Sequence, residues 1–458
     1  MNNLKKKTFS VLFIFILCTI LAGCTDSVQE QSFEEFMKEV NDRHEAVVKF
    51  DGDYKQYITN NKEDDFYFST YAYNTEYKYD EKAVLSLEQA EEDVDVLFKS
   101  FRTKYGLYNY FDGDETFNAA KDLIMQDIAK TEALTGGMFN DILRENLSFI
   151  QDGHFYIETM FNEIAVPFFF REVSFIKTAE GYRTDDGKTV KSVEGYDDLN
   201  ELFKPSISDE GMIVYYPVVL EKRIAEKFIE EPQECTVRLT INYTDKSTQL
   251  LTAEPYKLSA RENGVNITFH ETDGIPVVVT EGFDFNKGGN KFLNSALEFK
   301  NEPVSIVDLR LNNGGTSMAN VWLKAYAGEV VASNSSYINS AGILIDDYPD
   351  KFVDNENLLI ILTSKYTASA AEEFVDTAHN LKNTLFIGEN TGGMYRGVER
   401  MAIQLPNSHI GVTMQLGMAL LPEDENYFQE TRGFCPDLWV PADEAESAAV
   451  KFVSRIMR

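Results

Sequence analysis

Cysteine, histidine and tryptophan are scarce in this chain: 4, 5 and 2 among 458 residues. So few cysteines exclude a disulfide-built scaffold, and no Cys or His pair has zinc-ligand spacing, so no metal is expected. Basic residues are also in the minority, 43 Lys and Arg against 75 Asp and Glu, for a formal charge of -32. Such a surface repels phosphate backbones and anionic lipid headgroups alike, so nucleic acid is not an expected partner. Neither a Walker loop nor a Gly-rich dinucleotide turn is present, and no cofactor is expected. Apolar and aromatic residues are plentiful, 43% and 13%, enough for large cores in two or three domains.

The single long apolar run, Phe9 to Ala22, follows Lys5, Lys6 and Lys7. It is shorter than the roughly 18–20 residues a spanning helix requires and reads as a signal peptide over residues 1–23. Its ending, Leu21-Ala22-Gly23-Cys24, resembles a bacterial lipobox, in which the cysteine thiol receives diacylglycerol. Cys24 is thus the expected lipidation site, and the mature chain is expected outside the cytoplasm, held on the cell membrane by its lipid. In that oxidising setting Cys235 and Cys435 can form one bridge or stay as two buried thiols.

A polar tether over 24–33 leads to an N-terminal helical region, 34–150. Ser86 and Gln89 form a capping-box pattern, and Leu87, Ala90, Val94, Leu97, Phe98, Phe101 and Tyr105 recur at helical spacing. Further helices are expected over about 117–128 and 138–147. Residues 151–300 turn to short alternating runs, including 236–243, 267–270 and 275–279, with few helices expected and a degenerate PDZ-like segment at 189–245. From 301 to 458 strands and helices alternate in an α/β pattern: strands at 305–311, 358–362 and 384–387, helices at 318–326 and 368–382, a hairpin over 401–416, and a terminal helix capped by Asp443 and Glu446.

With no cofactor signature, chemistry must come from side chains. Of the five histidines, His44 lies in a polar stretch, His270 and His409 sit on a strand and in a hairpin loop, and His379 lies along a predicted helix. His154 follows Gln151-Asp152-Gly153 at the helical-to-β junction, where a glycine turn presents the ring from a rigid edge. A buried strand at 358–362 runs through a short turn into a helix and places Ser369 at its N-terminus, where free amides favour an oxyanion. Ser369-Ala-Ala-Glu372 also reads as an N-capping box. His379, ten residues along that helix, lies about 15 Å away and cannot serve the serine. The strand 306–311 ends in Asn312-Asn313-Gly314-Gly315, whose backbone N–H groups suit an oxyanion hole or a tight turn. Lys365 is a further amine close to Ser369.

In order and spacing these segments resemble the tail-specific and C-terminal-processing protease family, which includes the tricorn core protease. The resemblance rests on Asp152-Gly153-His154, Asp308-Leu-Arg310 to Gly315, Ser369-Ala-Ala-Glu372, Gly388-Glu-Asn-Thr-Gly-Gly393 and Pro436-Asp437. It implies a crotonase-like (ClpP/crotonase) α/β catalytic domain and serine endopeptidase activity, with Ser369 as nucleophile and an oxyanion hole from Gly314, Gly315 and Ala370. The tail-specific branch pairs its serine with a lysine where this chain has Met394. The tricorn-like branch uses a histidine, which implies His154 as base and Glu430 as its partner. That branch has a serine where this chain has Gly153, so either Glu430 or Asp152 orients the ring. The expected function is a membrane-anchored, extracytoplasmic serine peptidase acting on polypeptides. The alternatives are a catalytically silent peptide- or ligand-binding lipoprotein and, on acid and tyrosine content alone, a cell-wall glycosidase.

Overall fold

Ser32 and Glu35 close a capping box, and from it helix α1 runs over Phe33–Glu45. This is a computed structural model, and it describes residues 32–58, 71–160, 162–224, 236–256, 267–345, 351–424 and 426–457. The leader, Cys24, most of the tether, Cys235 and the Asp346-Asp347 pair lie outside the described residues. The Ser86–Gln89 box opens α2, Leu87–Lys104, as expected. Helices α3, Gly113–Lys130, and α4, Gly136–Asn146, each start a little before their apolar periodicity does. After α4 the chain passes through His154 into the short strand β1, Tyr156–Ile157.

The middle of the chain forms two antiparallel sheets. One holds β2 (Glu163–Phe169), β3 (Phe175–Thr178), β4 (Gly181–Thr184), β6 (Phe203–Ile207) and β7 (Ile213–Ile224), and the other β5 (Val190–Val193), β8 (Val237–Tyr243) and β9 (Thr248–Ala253). They share a core that includes Phe168, Phe175, Phe203, Ile241 and Leu251. The expected short helix near 197–203 is one turn, Leu199–Leu202.

The main sheet has six strands in the order β10 (Ile267–Thr272), β11 (Ile275–Thr280), β12 (Val304–Asp308), β15 (Leu358–Thr363), β16 (Thr384–Gly388) and β19 (Leu438–Trp439). All neighbours are parallel except β10 with β11. Because this order follows the sequence, right-handed crossovers put the connecting helices on one face. Helices α5 (Gly289–Phe299), α6 (Ala319–Ala327) and α7 (Ala370–Ala378) accordingly share a core containing Phe292, Trp322 and Phe374 with Val307 and Ile361. The opposite side chains, Ile306, Ile360 and Leu385, meet α1 and the terminal helix α8, Ala445–Ile456. Helix α5 was not anticipated within the β-rich stretch. It forms because Phe292, Ala296 and Phe299 fall on one helical face.

A second five-stranded sheet joins β1, β13 (Ser336–Ile338), β14 (Leu344–Ile345), β17 (Gly397–Gln404) and β18 (Gly411–Leu420). Helices α2 to α4 cover it, with Phe101, Ile124 and Leu143 in one cluster with Ile403, Val412 and Met414. The crotonase-like domain expected within 301–458 is therefore corrected: the α/β layer is a singly wound six-stranded sheet beginning at Ile267, and its companion sheet draws the strand Tyr156–Ile157 from just after the N-terminal helices. Physically, the alternation read after residue 301 could not show that Tyr156–Ile157 pairs with Val412–Thr413.

Motif residues lock this frame. Arg310 grips Asp308 through two nitrogens at 2.9 and 2.7 Å, and reaches the Ala442 carbonyl at 2.6 Å and Glu446 at 3.3 Å. Asp437 accepts from the Phe386 amide at 2.8 Å, from His44 at 3.1 Å and from Arg43, which fastens α1 to the sheet. His44 is thus buried, although its polar stretch of sequence reads as surface. Glu446 likewise is no helix cap: it binds His270 at 2.6 Å and Thr272 at 3.2 Å.

Candidate active site

Parallel sheets leave a crevice beyond the carboxyl ends of their strands. Here the loops after β12 and β15 are stitched together there: Thr367 Oγ1 donates to the Leu309 carbonyl at 2.8 Å, and the Ala368 amide to the Asn312 carbonyl at 3.0 Å. This brings Ser369 against Gly314. A Cβ on Gly314 would stand 2.7 Å from Ser369 Cβ and 2.9 Å from the Ala370 nitrogen, so only glycine permits the approach.

Ser369 itself has φ 59° and ψ -124°, a conformation that costs an L-residue about 1–3 kcal/mol. The surrounding bonds hold it there. Glu372, fully buried, accepts from the Ser369 amide at 3.1 Å, from Thr391 Oγ1 at 2.6 Å, and from the amides of Gly393 and Met394, each at 2.8 Å. Burial pushes its carboxyl up to about 7, against the pull of those donors. One carboxylate therefore ties the serine turn to the glycine loop. The sequence showed Glu372 only as half of a capping box.

The three expected oxyanion donors differ. The Gly314 N–H is already given to Asn312 Oδ1 at 2.9 Å. Among the described residues no acceptor takes the N–H of Gly315 or of Ala370.

His154 and Ser369 border the same cleft, of about 1260 Å³, together with Gly315, Ala370, Lys365 and Met394. His154 is placed through its backbone. Its amide donates to Asp152 Oδ1 at 3.0 Å, its carbonyl accepts from Gln415 Nε2 at 3.3 Å, and the neighbouring Gly153 amide donates to Glu430 Oε1 at 3.0 Å. Glu430 also accepts from the Arg396 amide at 3.0 Å, and Asp152 from Tyr105 Oη at 2.9 Å. Burial pushes both carboxyls up, and for Glu430 repulsion from Asp152 adds to it. Among the described residues neither Glu430 nor Asp152 bonds the imidazole, whose buried Nδ1 has no partner, and no hydrogen bond joins the ring to Ser369 Oγ. Burial, aided by Arg400, lowers the His154 pKa to about 4, so the ring is neutral at pH 7.

Gly153 is a matter of space. A Cβ there would lie 2.5 Å from Met394 Cγ and 3.0 Å from the Gly393 carbonyl oxygen, so the methionine side chain occupies the room a serine would need. Lys365 is already engaged: its ammonium pairs with buried Glu389 at 3.0 Å and reaches the Tyr256 carbonyl at 3.2 Å. His379 is buried in the α7 core, its Nδ1–H donating to the Val375 carbonyl at 2.8 Å.

Residues 276–440 match the model of peptidase family S41. This overturns the crotonase-like fold expected above: over residues 276–440 the pattern is that of peptidase family S41. Among solved structures, mature CPAF is 12% identical, with a TM-score of 0.42 over 81% of this chain and 96% of that one. A putative peptidase from Parabacteroides merdae is 15% identical, with a TM-score of 0.42 over 81% and 97%. The photosystem II D1 C-terminal processing protease is 14% identical, with a TM-score of 0.37 over 77% and 93%. No curated protein matches the chain.

Proposed function

We propose, from the match of residues 276–440 to peptidase family S41, that the chain is a serine endopeptidase in which Ser369 Oγ attacks the scissile carbonyl of a polypeptide. The observation that carries this reading is the strained Ser369 at the head of α7, beside the open N–H groups of Gly315 and Ala370 in one cleft. As Oγ bonds to the carbonyl carbon, its proton passes to neutral His154. The carbonyl π pair moves onto oxygen, where the two N–H groups receive it. Collapse of the adduct expels the amine, which takes the proton back from the imidazolium, and water repeats the sequence to release the acid. The serine and the ring must close to about 2.6–3.2 Å for the transfer, and substrate filling the cleft is what tightens such contacts. Glu430, Asp152 and Glu372 act as positioning residues, holding the backbone at Gly153, His154 and Ser369.

In this reading the activity lies outside the cytoplasm on a lipid attached to Cys24, which the lipobox-like ending Leu21-Ala22-Gly23-Cys24 supports. Ser369→Ala should abolish cleavage of unfolded casein while leaving the fold intact, and cleavage at the parent rate would end the proposal. Cys24→Ser should move the protein out of the membrane fraction. The competing reading, a silent peptide-binding lipoprotein, draws on the missing bond between Ser369 and His154. It predicts casein binding with no cleavage by the parent protein.

A further inference from the structure

The wall of the cleft beside His154 carries a cation that no described residue neutralises. On β17, Arg400 pairs in register with Gln415 of β18, the residue whose side chain holds the His154 carbonyl. Both line the cleft with His154, so Arg400, Gln415 and the ring sit together on one wall. Arg400 is exposed and makes no ion pair with any described residue. The other charges facing the cleft are engaged. Lys365 is held by Glu389, Glu373 accepts from Ser317 Oγ at 2.6 Å, and Glu399 accepts from the Ser340 amide at 2.9 Å.

We propose that Arg400 is a specificity-determining residue, and that the cleft selects polypeptides whose acidic side chain, on the leaving-amine side of the scissile bond, places its carboxylate on the guanidinium. The leaving-amine side follows from the role of His154, which hands its proton to that amine. In a chain of net charge -32 the surroundings disfavour an acidic peptide, so a guanidinium at the cleft that pairs with no described residue supplies a local attraction of opposite sign. Its planar fork suits a carboxylate, with two N–H donors for two oxygens. Arg400 is also one of the causes that hold the His154 pKa down. A bound carboxylate neutralises it and makes the base stronger when an acidic substrate is present.

The substrate class rests on the peptidase reading, but the test reads binding and so stands apart from cleavage. In the Ser369→Ala protein, dissociation constants are measured by fluorescence anisotropy for matched, C-terminally amidated peptides that differ only in one Glu, Gln or Lys, moved through successive positions. The Glu peptide should bind about tenfold more tightly than the Gln peptide at one or two adjacent positions, with Lys the weakest. Arg400→Gln should flatten that ranking and Arg400→Glu reverse it, and added salt should shrink the preference in the Arg400 protein alone. Equal binding of the three peptides, or a ranking that survives Arg400→Gln, overturns the proposal. If the ranking appears and the Ser369 protein cleaves none of the peptides, the specificity assignment stands and the peptidase reading falls.

Discussion

Replacing Glu372 by Gln changes one oxygen for an NH2 group and almost nothing in volume, yet it strikes at the tie between the serine turn and the glycine loop. One carboxylate oxygen accepts from Thr391 Oγ1 and the Gly393 amide, the other from the amides of Ser369 and Met394. An amide side chain can satisfy one of these pairs, and its nitrogen then faces the other pair as a third donor. Two buried hydrogen bonds are lost, about 2–3 kcal/mol in all. That corresponds to roughly 30–150-fold faster opening. The assay is hydrogen exchange by mass spectrometry on peptides covering 366–374 and 388–396, compared with a distant control in α2. Peptidase turnover should fall by about 10²-fold or more, because a shift near 1 Å at the nucleophile is enough to lose that much. Unchanged exchange in both segments, with turnover intact, would refute the claim that this carboxylate holds Ser369 in place.

Gly153→Ser, which introduces the residue of the tricorn-like pattern, should destabilise by about 1–3 kcal/mol in chemical denaturation. Met394→Ala should recover part of the loss by removing the Cγ contact, but not the part due to the Gly393 carbonyl. Acid should release α1 from the sheet. His379, buried beside His44, has its pKa lowered to about 3, so the stability it supports is complete above its unfolded value near 6.5 and falls as pH drops from there towards 3. The Asp437 carboxyl, held well below its ordinary range chiefly by His44 and Arg43 against the cost of burial, acts in the same direction at lower pH. Limited proteolysis of the α1 segment should therefore accelerate below about pH 6, and His379→Phe should lower the onset.

Local chemistry was legible where it was local. The Ser86–Gln89 box, the buried strand at 358–362 and the serine at the following helix start are written in contiguous residues and appear where expected. Partners distant in sequence were not readable. Nothing around His44 signals that its ring meets Asp437, or that Glu430 takes the Gly153 amide 277 positions away. Nor does the sequence show that Gly153 is the counterpart of Met394, since a void is a property of packing and not of composition. Helix α5 was missed because its apolar face interrupts a stretch that otherwise alternates with period 2. The Asp-Leu-Arg segment entered the sequence reading only as part of the family resemblance, and its charged residues fasten α8, a role no local pattern shows.

Whether Ser369 is an activated nucleophile is read from the intact mass of the folded protein after exposure to a fluorophosphonate, with the modified residue located by peptide sequencing. Reaction through a serine activated by a neutral imidazole predicts one adduct, on Ser369, formed far more slowly in His154→Ala. No adduct on the native protein, or one formed at the same rate without His154, would contradict the account.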